Sequence, residues 1–430
     1  MLVRERGGTK KVSHRSHSSF VDAENAFNNL NRNVAIENVK HLCPPFHRYL
    51  LNTYQKPAKL IISGNNTHEI IMSDEGCTQG DVNAMGFYGV GIAPLISTLA
   101  DSVDTTKCKQ SWYADDSSAA GKLIQMKIWW DTLSESGPKY GYYPLASKTV
   151  LIVKEQFLSE ARDIFGDSGV TITTEGERHM GAVIGSPEFK QTYVRNKISK
   201  WIQDVETLAE IAKDEPQAAY ASFTKAISRR WTYIQRTIPG ISDLFQPLEQ
   251  AIRDKLMPAI IGRAISDIER KIFSLPVRLG GLGIQDPTVT ADLEYRASIF
   301  VTRDLTDIIY NQERDFSNFD DERVKNAKKY VKSTKDAHHD EILKEILETV
   351  NSKMKRTLKL SQEKGAGLWL TANPSESYGF TLNKQDFRDS ICLRYDWRVP
   401  NTSSYCQCGQ KNRGPCPFMQ ERRIRHYATQ

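Results

Sequence analysis

The chain has 430 residues, 39% of them hydrophobic and 26% charged, a balance that suits two or three globular cores and excludes a disordered polymer. Its 58 basic and 52 acidic residues leave a net charge of +6, too mild an excess to name a polyanionic partner by itself. No apolar run approaches the roughly 18–20 residues that cross a bilayer, and the polar, basic start Met1–Lys11 is no secretory leader, so an intracellular protein without membrane contact is expected.

Residues 1–19 read as a basic, poorly ordered arm. Helical spacing runs from Ala26 to Leu30 and on through Ile36 and Val39, and Pro44-Pro45 is expected to stop it. Phe46–Tyr54 reads as a second short helix. Lys59–Ser63 and His68–Met72 flank Gly64-Asn65-Asn66 as a strand pair around a turn. Gly80–Ala100 and Gln125–Ser136 read as helices, and Thr149–Val153 as a strand. This order predicts an α+β domain, an open sheet with helices on one face.

From Val194 to about Arg270 the pattern is helical, with apolar stripes through Trp201, Val205 and Leu208 and through Tyr220, Phe223, Ile227 and Trp231. Such stripes are core. Gly280-Gly281-Leu282-Gly283 lacks the strand–loop–helix setting of a phosphate loop and reads as a structural turn. Residues 313–364 read as charged, solvent-exposed helices, with His338-His339 solvated among them. The basic clusters, Lys328-Lys329 and Lys353–Arg356 among them, read as solvated faces that could also meet phosphates.

The chemistry gathers on acidic residues at strand ends. Asp115-Asp116 lies between the strand-like Ser111-Trp112 and Ser117–Ala120, and Asp22 ends the run Phe20-Val21-Asp22. Adjacent carboxylates repel, and a divalent cation would supply the missing charge. A lone Asp-Asp turn is more often a solvated one, and it is the second acidic strand end that points to metal. Two magnesium ions roughly 3.5–4 Å apart, held by such a set, support in-line phosphoryl displacement.

These residues carry a resemblance. Phe20–Phe27 looks like the first palm motif of reverse transcriptases, Glu75-Gly76-Cys77-Thr78-Gln79-Gly80-Asp81 resembles the next, and Trp112–Asp116 their metal-binding hairpin. Gly137–Tyr143 through Ser147-Lys148-Thr149 is similar to the lysine-bearing segment that follows, and Arg178–Gly181 to the primer-contacting turn. Trp231–Tyr233, Arg236–Pro239 and Leu275–Ile284 resemble the region after the palm in enzymes of non-LTR retrotransposons. The likeness spans about residues 20–290. It implies a palm over 20–193, a helical thumb-like region over 194–290, a charged helical region over 291–385 and a Cys/His segment over 386–430.

The resemblance further implies an RNA-directed DNA polymerase that adds deoxynucleotides to a primer 3′ end on an RNA template with two Mg²⁺. Asp22, Asp115 and Asp116 would be its metal ligands and Lys148 would act on the leaving pyrophosphate. Phe27 would exclude a 2′-hydroxyl, Gln79 and Gly80 would contact nucleotide or template, and Tyr113 would stack under the primer terminus. Cys406, Cys408, Cys416 and His426 would supply a zinc knuckle, with a tighter Cys-x-Cys pair than usual; the scattered Cys43, Cys77, Cys108 and Cys392 read as reduced thiols.

Three departures bear on activity. The family's basic finger segments precede the first palm motif, whereas only about twenty residues precede Asp22; little or no extension by the isolated chain is therefore expected. Arg15–Ser19 is polar where a buried strand should lead into Asp22, so that strand is expected to be short or misplaced. Val82 and Leu145 replace a usual proline and asparagine. The alternative is a catalytically inactive nucleic-acid-binding relic. A plain helical interaction protein would leave the ordered motif series accidental.

Overall fold

The computed structural model describes residues 17–64, 68–313 and 320–400. The first strand, β1 (His17–Val21), leads into two helices, α1 (Ala26–Asn29) and α2 (Arg32–Leu42), where spacing predicts one. The break falls at Leu30-Asn31 because the Asn31 side chain accepts from Val34 N and caps α2 afresh. Pro44-Pro45 starts a helix rather than stopping one: α3 (Pro44–Tyr54) begins there, since a first turn needs no proline N–H.

The expected hairpin follows as β2 (Ala58–Ser63) and β3 (His68–Ser73), pairing Ile61 with Ile70 and leaving both faces exposed. Next comes α4 (Ala84–Ser102), which starts later than the expected Gly80. Contrary to the sequence reading, α4 is long and apolar enough, by length and composition, to cross a membrane. Its buried face (Phe87, Tyr88, Leu95 and Leu99) belongs instead to the core.

The chain divides into two compact units. The first, residues up to Phe189 with Asp304–Phe319, holds an α+β arrangement. Its strands β4 (Cys108–Tyr113), β5 (Asp116–Gly121), β6 (Val150–Ile152) and β7 (Thr171–Thr173) join β1 in the order β4-β5-β1-β6-β7. All neighbours are antiparallel except β6 and β7. Helices α5 (Leu123–Ser136) and α6 (Leu158–Phe165) lie with α2 and α4 around one core, to which Val21, Ala119 and Leu151 contribute from the sheet.

The polar lead into Asp22 does not displace its strand. β1 is central, and His17–Ser19, assigned to the arm from sequence, are part of it. Small neighbours make this work: Ser18 and Ser19 face Ala120 and Ala119 on one side and Ile152 and Leu151 on the other. His17 is buried edge-on to Phe157 at 4.9 Å, and burial lowers its pKa, favouring the neutral ring. Phe20 points to the opposite face and stacks on His179 at 4.3 Å. The hairpin β8 (Gly176–His179) and β9 (Ala182–Gly185) thereby meets that face of the sheet.

The second unit, Lys190–Arg303 with Asp320 onward, is helical among its described residues. Its elements are α7 (Pro187–Ala212), α8 (Pro216–Lys225), α9 (Thr232–Thr237), α10 (Gln246–Ala251), α11 (Met257–Ile261), α12 (Asp267–Ser274), α13 (Pro287–Asn311), α14 (Asp321–Thr349), α15 (Ser352–Ser361), α16 (Leu368–Thr371) and α17 (Lys384–Arg394). Trp201, Phe223, Trp231 and Phe245 form an aromatic cluster, as the stripes predict. His338-His339 differ from expectation. They are half-buried, because α14 packs against α12, and burial lowers the His339 pKa.

Glu294 of α13 gives this unit a pH signature. Burial pushes its carboxyl up, but hydrogen bonds from Lys335 and Arg236 (2.8 Å) outweigh that and hold it low. A carboxylate depressed in the folded state stabilises above its unfolded pKa, and that contribution fades as pH falls through the folded value. Urea denaturation from pH 7 to pH 3 should show the wild type losing stability more steeply than Glu294→Gln; parallel curves would refute the assignment.

Candidate active site

The register places the carboxylates. β1 and β5 pair down to Val21 opposite Ser117, which sets Asp22 at the strand end beside Asp116. β4 and β5 close at Tyr113 opposite Asp116, leaving Ala114 and Asp115 as the turn. Ala114 takes φ 54°, a left-handed conformation that costs an L-residue about 1 kcal/mol. The three sequence-predicted carboxylates therefore share one end of two adjacent strands. Asp116 records the crowding: burial first, then the charges of Asp115 and Asp22, raise its pKa. Asp22 Oδ2 faces Lys148 Nζ at 3.3 Å, so the predicted lysine joins the cluster.

The segment carrying Lys148 also braces the cluster. Leu145 N donates to Asp22 O (2.9 Å) and Glu24 N to Tyr143 O (2.9 Å), which fixes the strand end. The buried Tyr142 hydroxyl donates to Asp115 O at 2.9 Å and lies 2.9 Å from Ser117 Oγ, tying the hairpin turn to the same segment. Burial raises the Tyr142 pKa, and the nearby carboxylates add to it. Gly141 takes φ 78° and runs so close to Asn29 O that a Cβ would overlap it. Sequence reading did not single out Tyr142; the aromatic pair following a Gly-Pro-Lys-Tyr-Gly turn was its only signal.

Phe27 is half-buried and stacks on Tyr88, ring centroids 4.5 Å apart. The loop of the second motif is sewn to α1 beside it: Cys77 N donates to Phe27 O (2.8 Å) and Gly76 N to Leu30 O (2.9 Å). Arg32 does most of the holding. It is 5% exposed, and its guanidinium donates to the carbonyls of Ser73 (3.0 Å), Glu75 (2.8 Å) and Gly76 (3.0 Å). Its signal was legible though missed: Arg32 occupies the apolar stripe Arg32, Ala35, Ile36, Val39.

Gln79 and Gly80 stand exposed beyond this anchor, Gly80 at φ 96°. Asp81 next to them accepts from the Tyr54 hydroxyl at 2.5 Å and from Asn83 N at 2.9 Å, which holds its pKa low. Burial, aided by Asp81, pushes the Tyr54 hydroxyl up to about 12. Tyr113, 61% exposed, ends β4 beside the acidic turn.

Among the described residues no three His, Cys, Asp or Glu side chains are gathered closely enough to hold a metal ion. The donors at the strand ends are carboxylate oxygens, the kind hard cations such as Mg²⁺ take, and Asp116 feels the charges of Asp115 and Asp22 beside its burial. Cys406, Cys408, Cys416 and His426 lie outside the described residues.

No family model matches the sequence, and no curated protein matches it. Among solved structures, a telomerase from Candida albicans in complex with a TWJ fragment of telomeric RNA is similar at TM-score 0.31 and 7% identity. The likeness covers 82% of this chain and 50% of that one, so the chain spans about half the length of this neighbour. A likeness of that degree assigns no activity.

Proposed function

We propose that the chain is a polymerase of the reverse-transcriptase type, of non-LTR retrotransposon kind, which extends a DNA primer on an RNA template. The observation that carries the proposal is the placement of Asp22, Asp115 and Asp116 at one end of the β1–β5–β4 sheet. Divalent cations bound there would neutralise charge building on the transferred phosphoryl group.

The chain's own groups take the remaining roles. Lys148, its Nζ 3.3 Å from Asp22 Oδ2, would act on the departing pyrophosphate. Tyr113 offers an exposed ring for a primer base to stack on. Phe27, stacked on Tyr88 one turn past Asp22, would be the ring that excludes a 2′-hydroxyl.

The test is primer extension on poly(rA)–oligo(dT) in Mg²⁺, comparing wild type with Asp115→Asn. Phe27→Val should raise incorporation of ribonucleotide relative to deoxynucleotide about 10- to 100-fold, the scale of a steric discrimination; an unchanged ratio would remove Phe27 from the site. The ungathered state of the carboxylates and the Asp22–Lys148 pair favour a second reading, a relic that grips nucleic acid without catalysis. Hybrid binding with a steep salt dependence, and no extension by wild type, would select it.

A further inference from the structure

We propose that the first half of α14 binds the sugar-phosphate backbone of a nucleic-acid duplex through Lys325, Lys328, Lys329 and Lys332. This rests on the polymerase reading and gives its substrate a contact in the helical unit. Offsets of three, four and seven residues put the four lysines on one flank of the helix, and all four are exposed. Val324, Ala327 and Val331, at their own three- and four-residue spacing, form the half-buried flank.

Several other exposed cations of this unit are matched, Arg230 with Asp204, Arg253 with Asp267, Lys255 with Glu206 and Lys384 with Asp214. Among the described residues, Lys328, Lys329 and Lys332 have no ion pair, and Lys325 reaches only Glu322, at 3.6 Å. Like charges at such spacing destabilise an isolated helix. The sequence does not interleave acids to relieve them. It confines acids to the first turn, at Asp321 and Glu322, and to the stretch from Asp336 onward.

The size fits a backbone. Lys325 to Lys332 covers about 10 Å of helix at 1.5 Å per residue. One duplex strand offers a phosphate every ~3.4 Å of axis, about three over that length.

Fluorescence anisotropy with a 20-base-pair RNA–DNA hybrid, titrated with salt, tests the proposal on the full chain. Lys325→Gln/Lys328→Gln/Lys329→Gln/Lys332→Gln should weaken binding about ten-fold or more near 0.1 M salt. It should also flatten the log–log salt slope by about 0.9 per lost phosphate contact, some 2–3 in all. Lys213→Gln/Lys255→Gln/Lys384→Gln, which removes paired cations, is the control for net charge and should change the slope by less than half as much. An unaltered slope in the α14 variant, or an equal loss in the control, overturns this proposal alone, with extension by wild type still supporting the polymerase reading. Absence of hybrid binding by wild type, or tighter binding to polyglutamate than to the hybrid, overturns it too, and the first of these takes the polymerase reading with it.

Discussion

Asp115→Asn should leave the protein folded and, on the polymerase reading proposed above, cut whatever primer extension the wild type shows about a thousand-fold. Asparagine keeps the size and the turn, and the structural bond here is to the Asp115 backbone carbonyl, from Tyr142, which the substitution does not touch. What disappears is one negative charge from a cluster that already raises the Asp116 pKa. Stability should hold or rise as the repulsion eases, and Asp116 should titrate lower. The activity loss corresponds to roughly 4 kcal/mol of stabilisation of developing phosphoryl charge, the several kcal/mol that a bound cation supplies. Single-nucleotide incorporation beside a thermal melt separates the two effects. Extension at the wild-type rate by a folded variant would remove the carboxylates from the chemistry.

Arg32→Met should cost about 3 kcal/mol and, on the polymerase reading, loosen nucleotide binding as well. Methionine fills the volume but leaves the carbonyls of Ser73, Glu75 and Gly76 without the donor that now satisfies all three. Two charge-assisted bonds at the low end of their range already reach that figure. The loop cannot settle elsewhere easily, because Gly76, at φ 73°, is pressed against Asn28 O where a side chain would overlap. Arg32→Lys should rescue little, since one ammonium cannot reproduce the planar fork. Urea denaturation gives the first effect and the nucleotide KM the second. A stability change under about 0.5 kcal/mol, the range of an ordinary surface substitution, would show that the arginine is not an anchor.

The parts of the site that sequence made legible are those fixed by local chemistry. Acidic residues after strand-like runs gave Asp22, Asp115 and Asp116, and the structure brings them to one sheet end. Lys148 joined them through a resemblance, and its pairing with Asp22 places it there physically. The partners of the bracing residues were hidden for a different reason. Tyr142 and Arg32 act on backbone atoms 27 and 41–44 residues away, and no periodicity encodes a partner at that distance. Helix limits failed where a side chain recapped the chain, at Asn31, or where proline served as a first turn, at Pro44. The polar β1 was misjudged because its burial depends on small residues of β5.

That strand has a bearing on how the protein is made. β1 occupies the middle of the sheet, yet both strands that flank it come much later in the chain, at Asp116–Gly121 and Val150–Ile152. As the polypeptide leaves the ribosome, His17–Val21 must wait unpaired until about a hundred further residues have emerged, a demand that slows folding by raising the separation of contacting residues. The serines and histidine that make β1 a poor-looking strand are also what keep it from sticking to its neighbours during that wait.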